Sequence, residues 1–468
     1  MSSVDLIHAA EKIIKIAQAE GAEQAEVFLE SRESLVIRAS TTGGKENLMT
    51  REQIITGAAT RVIKAGALGF AYFSNLQDEA VRSSVRSALK VAEPQNGLDS
   101  FSGKPSGYPH VSGIHDKHTA EMRPEEVVSQ LEALKESARN VDPQRITVYD
   151  ALFGRSKYGF AVVNSEGLKV DDYGSFARMS LGMSAREQDR VTKIEVYNVE
   201  RAVKDTTNVK DFASKYSSRI LKYRGARAIQ PKKMTAVLGP SAVAELFSYA
   251  FANAFSAENV QHKASPLEGK IGEQVASDIV TLEDDGTLEG GLVSFKMDDE
   301  GMPSRKTVLI ENGVLKGYLH NNQTAKIDST EGTGNCIRWE MPGVDYFYLR
   351  SYKRLPRIYP TNLVFRPGST STDTMINEVN DGIYVERCDP AFTARPDGSF
   401  SVTVLNGLRI EKGELTTPAS DTRIAGNIFD YVKKIDAIGN TAEKWIPLLY
   451  PSSIVAPPLR IQDVTIQM

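Results

Sequence analysis

Between Ser265 and Ala325 the chain alternates acidic or polar turns with short apolar runs, and glycine marks most of the switches. Ser265-Pro266-Leu267-Glu268-Gly269-Lys270-Ile271-Gly272 opens the stretch and Asp298-Asp299-Glu300-Gly301-Met302-Pro303 divides it. Asn312-Gly313 then separates Thr307–Glu311 from Val314–Leu319, and Gln323-Thr324-Ala325 closes it. Asn-Gly between two such runs is a strong hairpin signal, because both residues tolerate a positive φ. Short strands with glycine turns continue on both sides, at Thr235–Leu238, Ile279–Leu282, Asn362–Phe365, Gly382–Val385, Phe400–Ile410 and Leu459–Gln467. Such a pattern predicts a closed or folded-over, barrel-like sheet rather than a parallel one. One helix interrupts it after Pro240 and is expected to run to about Phe255; another is expected from Asn427 to Ala437.

The first half has a different texture. Leu6, Ala9, Ala10, Ile13, Ile14 and Ala17 share one helical face, and Gly21 stands where a C-terminal cap is favoured. Ala25–Ser31 and Leu35–Ser40 alternate as strands on either side of a charged turn. Ile55–Ile63 and Leu68–Ser74 are joined by Lys64-Ala65-Gly66, and Asp78–Ala92 is helical. After an irregular connection from Pro94 to Pro124, a helix to Asn140 precedes strands near Ile146–Phe153, Tyr158–Asn164 and Phe176–Arg186. Val209–Lys222 is again helical. The second block echoes the first without a residue-level repeat. The fold class is therefore α+β, with an N-terminal domain of helices and antiparallel sheet over 1–231 and a β-rich domain over 232–468.

At 468 residues the chain exceeds what one core serves, in keeping with that division. A net charge of -4 with both signs interspersed leaves no basic footprint for direct nucleic-acid contact. Arg350, Lys353, Arg354 and Arg357, interleaved with Tyr352 and Tyr359, read as a solvated surface segment. Two cysteines imply no disulfide framework. Asp5 and His8 stand where an export signal wants a basic start and an apolar core, and no apolar run is long enough to span a membrane. The chain is expected to be cytoplasmic.

Candidate chemistry is sparse. His115-x-x-His118, with His110 nearby, lies in the irregular connection and lacks the rigid support a metal site needs. His8 reads as solvated; His262 and His320 are isolated. Cys336 and Cys388 have no histidine close in sequence and read as buried, inert thiols. The carboxylates of Asp284-Asp285-Gly286 and Asp298–Gly301 suit tight turns and do not match a calcium loop. Gly332-x-Gly334 is too short for a phosphate loop.

The Ser265–Ala325 stretch resembles the signature of the TldD/PmbA family. Thr56-Gly57-Ala58-Ala59-Thr60-Arg61-Val62, Gly66–Ala71, Asn164-Ser165-Glu166-Gly167, Ile424-Ala425-Gly426-Asn427-Ile428 and Ile438-Gly439-Asn440 are similar to further family segments, in the right order. In the family's protease subunit the helix after the strand before Pro240 carries His-Glu-x-x-x-His, two zinc ligands and a general base. Here that helix reads Ser241-Ala242-Val243-Ala244-Glu245-Leu246-Phe247-Ser248-Tyr249-Ala250-Phe251-Ala252. The protease subunit's further cysteine ligand also has no counterpart between Lys444 and Pro458. The resemblance therefore implies the family's TldE (PmbA) type, without catalytic residues, metal ligands or cofactor. It implies a heterodimer with a TldD-like protease subunit, a homodimer when alone, and an extended peptide as substrate of the pair. The family's older description as a modulator of DNA gyrase implies a regulatory binding protein as the alternative, and a stand-alone peptidase is the third reading. The aromatic loop 335–360, with Trp339, is the main departure and is expected to contact a partner or peptide.

Overall fold

The computed structural model describes residues 3–94, 100–187, 190–223, 225–340, 350–389, 395–447 and 450–468. In the N-terminal half, α1 (Ser3–Ala19) leads into the meander β1 (Gln24–Thr42), β2 (Lys45–Lys64) and β3 (Ala67–Phe73). Next come α2 (Asp78–Lys90) and the short β4 (Glu93–Pro94). After α3 (Lys117–Glu121) the plan recurs: α4 (Pro124–Asn140), β5 (Ile146–Asn164), β6 (Lys169–Glu187), β7 (Arg190–Glu200) and α5 (Thr207–Lys222). The antiparallel order β4-β3-β2-β1-β5-β6-β7 sets the two helix–meander–helix blocks side by side across the β1–β5 seam. The echo between blocks is thus an architectural duplication.

Strand alternation sorts the sheet faces. Val27, Leu29, Leu35, Ile37 and Ala39 of β1 lie under the helices, in two apolar clusters. Phe28 points the other way, into a cluster shared with Leu292, Val293 and Phe295 of the C-terminal half. The first half therefore presents its helix-free face to the second.

Two expected breaks are absent. The charged segments Arg32-Glu33-Ser34 and Arg155-Ser156-Lys157 lie mid-strand and face each other across the seam, Glu33 opposite Lys157 and Ser34 opposite Ser156. Glu33 binds Arg155 at 2.6 Å and Lys157 at 3.0 Å, so each apparent turn supplies the other's counter-charge. The Lys64–Gly66 connection is as expected, with Ala65 and Gly66 at φ 50° and 75°. Asn312 and Gly313 likewise turn at 49° and 81°.

In the C-terminal half, Asp381–Cys388, Lys232–Leu238, Leu459–Gln467, Arg423–Asn427 and Ser399–Glu411 pair in that order, and the last pairs back to the first. That closure makes a five-stranded barrel, as the strand pattern predicts. A second, six-stranded sheet holds Leu282–Asp285, Lys306–Glu311, Val314–Leu315, Asn362–Phe365, Ser453–Ala456 and Glu443–Trp445. The late helix is shorter than expected: Ile428–Tyr431 passes through a 3-10 turn, Val432–Lys434, into the strand Ile435–Ile438, which pairs with Leu459–Ile461. Among the described residues no helix is long and apolar enough to cross a membrane.

Candidate functional site

α6 (Pro240–Phe247) starts with proline in its first turn, where a missing N–H is harmless. Ala242 through Phe247 are all buried. Phe247 packs edge-on against Phe251 and Phe365, with ring centroids 5.1 and 5.3 Å apart. The continuous helix expected to Phe255 does not form. It stops at Ser248, whose hydroxyl donates to the Glu245 carbonyl at 2.8 Å, and restarts as Ala250–Asn253. Between them Tyr249 adopts φ 54°, ψ -106°, a conformation that costs about 1–3 kcal/mol for a residue with a side chain. Its ring packs against that of Tyr450 at a tilt of 51°, with centroids 5.1 Å apart, a contact that helps to offset that strain.

Glu245 is the one acid on this segment and is 5% exposed. Its Oε1 accepts from Trp445 Nε1 at 2.9 Å, and the Tyr197 hydroxyl stands 3.4 Å away. The Tyr197 proton goes to the Ile446 carbonyl at 2.6 Å, so the indole supplies the stronger bond to the carboxylate. Burial pushes the Tyr197 phenol well above its ordinary range, with the Glu245 charge adding to the effect. Tyr450 donates to Asn253 Oδ1 at 2.9 Å. Phenylalanine, tyrosine, tryptophan and one occupied carboxylate thus fill the space around this helix. A zinc ion wants three or four nitrogen, sulfur or carboxylate ligands, and this set does not fit one. Among the described residues no group of three or more His, Cys, Asp or Glu side chains could hold a metal ion.

The acidic turn Asp298–Gly301 is a turn, but it is not solvated. Asp298, Asp299 and Glu300 are each at most 2% exposed. Asp298 accepts from the backbone N–H groups of Glu300, Met302 and Cys336. Glu300 reaches across to the N-terminal sheet, where Arg61 donates to it at 2.9 Å and to both oxygens of Glu26 at 2.9 Å. Burial works against the Arg61 charge, but Glu26 and Glu300 outweigh it and hold the guanidinium above its ordinary range. The basic segment divides. Arg350 is buried, paired with Asp299 and placed over the Phe295 ring, whereas Lys353, Arg354 and Arg357 are exposed. Sequence reasoning missed this hub; the one signal was an acidic run and an arginine-rich run in a chain with a large shared interface.

Above Arg61 and Glu300 lies a cleft of about 700 Å³ between the halves. Leu68 and Phe70 of β3, with Val91 and Glu93, form one wall; Glu258, Gln261, His262, Asn321, Gln323 and Thr324 form the other. Leu355, Pro356 and Arg357 close one end. His262 is thereby placed on the cleft, while His320 is buried. His115 packs edge-on against Tyr173, and both His115 and His118 are exposed. Cys336 and Cys388 are buried, and burial pushes both thiols upward. In the aromatic loop, Trp339 packs 6.0 Å from Tyr359, while residues 341–349 lie outside the described residues.

A family model described as the PmbA/TldA metallopeptidase C-terminal domain matches residues 231–468, and the corresponding central-domain model matches 117–217. Protein MJ0231 of Methanocaldococcus jannaschii is 29% identical over 450 residues, covering 95% of this chain and 98% of that protein. Metalloprotease MJ0996 of the same organism is 27% identical over 397 residues, 82% of each chain. The crystal structure of TldE from Thermococcus kodakarensis matches with a TM-score of 0.84 at 26% identity, over 98% of this chain and 100% of that one. With the helix after Pro240 built from phenylalanine, tyrosine and alanine, the chain belongs to the TldD/PmbA family and is of its TldE type.

Proposed function

We propose that this chain is the metal-free partner subunit of a TldD-type zinc peptidase in the cytoplasm, acting on unfolded or small peptides. The observation that carries the reading is the side-chain set around α6. Apolar rings and a Glu245–Trp445 hydrogen bond occupy the place where the family's protease subunit is expected to hold its histidines. The cleft between the halves suits an extended peptide. Gln261, Asn321, Gln323 and Thr324 line it with polar groups, and Leu68, Phe70 and Ile327 offer apolar contact. β4 pairs with β3 only at Ala67 and Leu68, so among the described residues no strand occupies the outer edge of Gly69–Phe73. An extended peptide adds to such an edge through main-chain hydrogen bonds. In this reading the chain positions substrate and the partner supplies the zinc-activated water.

The test is elemental analysis of the purified chain with peptidase assays, alone and with a TldD-like subunit. The expected result is negligible zinc, no cleavage alone, and zinc-dependent cleavage of an unstructured peptide by the pair. Stoichiometric, tightly held zinc in the isolated chain would overturn the reading, as would chelator-resistant cleavage without a partner.

A further inference from the structure

In β2 the Ile63 carbonyl accepts from the Glu23 N–H at 2.9 Å, so the main-chain groups of Ile63 face β1. Its neighbours Val62 and Lys64 therefore turn theirs toward β3, where they pair with Gly69 and Ala67. The alternate residues of β3, Leu68, Phe70 and Tyr72, point N–H and C=O to the outer edge of the sheet. Leu68 meets Glu93 of β4 there, and among the described residues Phe70 and Tyr72 meet no strand. Both side chains lie on the face turned to the C-terminal half, Phe70 opposite Arg61 in the cleft and Tyr72 53% exposed. Val91, Ile327 and Leu355, three more exposed apolar side chains, line the same cleft. Free main-chain groups and exposed apolar surface thus coincide at two alternate residues of one strand. Charge adds a second restriction. Arg61 is committed to Glu26 and Glu300, whereas Glu93 and Glu258 put a carboxylate on each wall, with Arg357 at one end.

We propose that this edge selects extended peptides with bulky apolar side chains at two positions, i and i+2, and rejects a carboxylate at either. The inference rests on the cleft reading above and adds to it the kind of sequence the cleft accepts. β2 and β4 both run antiparallel to β3, and antiparallel pairing is the more stable per residue, so the peptide runs antiparallel too. Residue i then faces Tyr72 and residue i+2 faces Phe70, each exchanging two main-chain hydrogen bonds with the residue opposite. Directly opposed residues share a sheet face, so both peptide side chains land beside the two rings, where aromatic–aliphatic pairs are favourable. Residue i+1 turns to the helix-covered face. Glu93 is paired with Leu68, the residue before Phe70 on the same face, so position i+2 lies nearer to it than position i. An acid is therefore rejected more strongly at i+2.

The test is fluorescence anisotropy of a short labelled peptide of serine, threonine and glycine with leucine at i and i+2. It is titrated with the full chain, alone and paired with a TldD-like subunit. Serine at both positions should weaken binding about 10–100-fold. Leucines moved to i and i+1 should weaken it about 3–10-fold, since one of them then turns to the other face. Aspartate at i+2 should bind more weakly than aspartate at i, and Glu93→Gln should narrow that gap. N-methylation of either leucine should weaken binding about tenfold, and N-methylation of the residue between them should cost little, because its N–H points away from β3. Tyr72→Ser, at an exposed side chain, should erase the preference for leucine at i and keep it at i+2. Binding without a spacing preference overturns the proposal and leaves the cleft reading standing, as does the reverse N-methylation pattern. Absence of binding to either form overturns the proposal together with the cleft reading. Selective binding by a pair that cleaves nothing supports the proposal and overturns the peptidase reading alone.

Discussion

The surroundings of α6 and the hub around Arg61 are both buried, and they are built on opposite principles. Around α6 the burial is aromatic and aliphatic, with one carboxylate oxygen accepting from one indole. At the junction of the halves the burial is ionic, with Arg61, Glu26, Glu300, Asp299 and Arg350 withdrawn from water together. Apolar packing tolerates loss in proportion to the volume removed. A buried ionic set fails steeply when one member goes, because the others are stranded. The contrast teaches where this chain is rigid by filling and where it is specific by pairing.

The largest effect should therefore come from the hub. Arg61→Met strips Glu300 of its ion-pair partner, leaves Glu26 with Arg338 alone at 3.5 Å, and should cost about 3–5 kcal/mol in denaturant unfolding. Adding Glu300→Gln, which keeps Glu26 as the partner of Arg338, should restore most of it; no recovery would mean that packing, not charge, is what Arg61 contributes. Phe247→Ala, in the apolar region, should cost close to that, about 3–4 kcal/mol, without rescue by any charge change. A loss under about 1 kcal/mol would contradict the buried face described for α6.

The third test uses pH. Burial pushes Glu30 up to about 8, against the Arg32 and Arg350 charges and a backbone hydrogen bond from Tyr352, with Asp299 reinforcing the rise. A carboxyl group raised in the folded state contributes fully below its unfolded value near 4.5, and that contribution fades as pH climbs toward 8. Stability should thus fall across pH 5–8, and Glu30→Gln should remove a share of the slope, on the order of 2–4 kcal/mol. Asp284, which burial pushes up to about 7, contributes a second share that the variant leaves in place. Superimposable pH profiles of variant and parent would place Glu30 outside the response.

Smaller again, Trp445→Phe deletes the donor to Glu245 and should cost about 1.5–3 kcal/mol, with Tyr197 unable to compensate while it serves Ile446. At the bottom, Lys215→Ala breaks an exposed pair with Glu443 and should change stability by less than about 1 kcal/mol.

Periodicity made the helices legible: Pro124–Asn140 stands where its proline and spacing put it, and the Asn312-Gly313 hairpin follows from two residues. What misled was local charge. Glu33 read as a turn residue, and Lys157 fell between two expected strands, because their compensation lies on another strand, far away in sequence. The break at Tyr249 was illegible for a related reason. Nothing in Ser248-Tyr249-Ala250 announces a positive φ, and the contact that supports it comes from Tyr450. This has a bearing on the site. With the helix interrupted, histidines introduced at Phe247 and Ala252 would not share one helical face, so grafting the protease motif there should yield no zinc site. The hub was hidden because acidic and basic runs both look like surface until an interface buries them.

Barrel closure has a consequence for synthesis. Strand Lys232–Leu238 lies between Asp381–Cys388 and Leu459–Gln467, so both of its neighbours are made long after it. At ~5–20 residues per second, the ribosome leaves that strand unpaired for roughly 8–30 seconds, while the N-terminal sheet has every strand it needs. Until Leu292–Glu300 are made, the face waiting to be covered carries Glu26, Glu30 and Arg61 beside Phe28, and water can hydrate it. A nascent chain that must wait is safer waiting with charges than with an uninterrupted greasy surface.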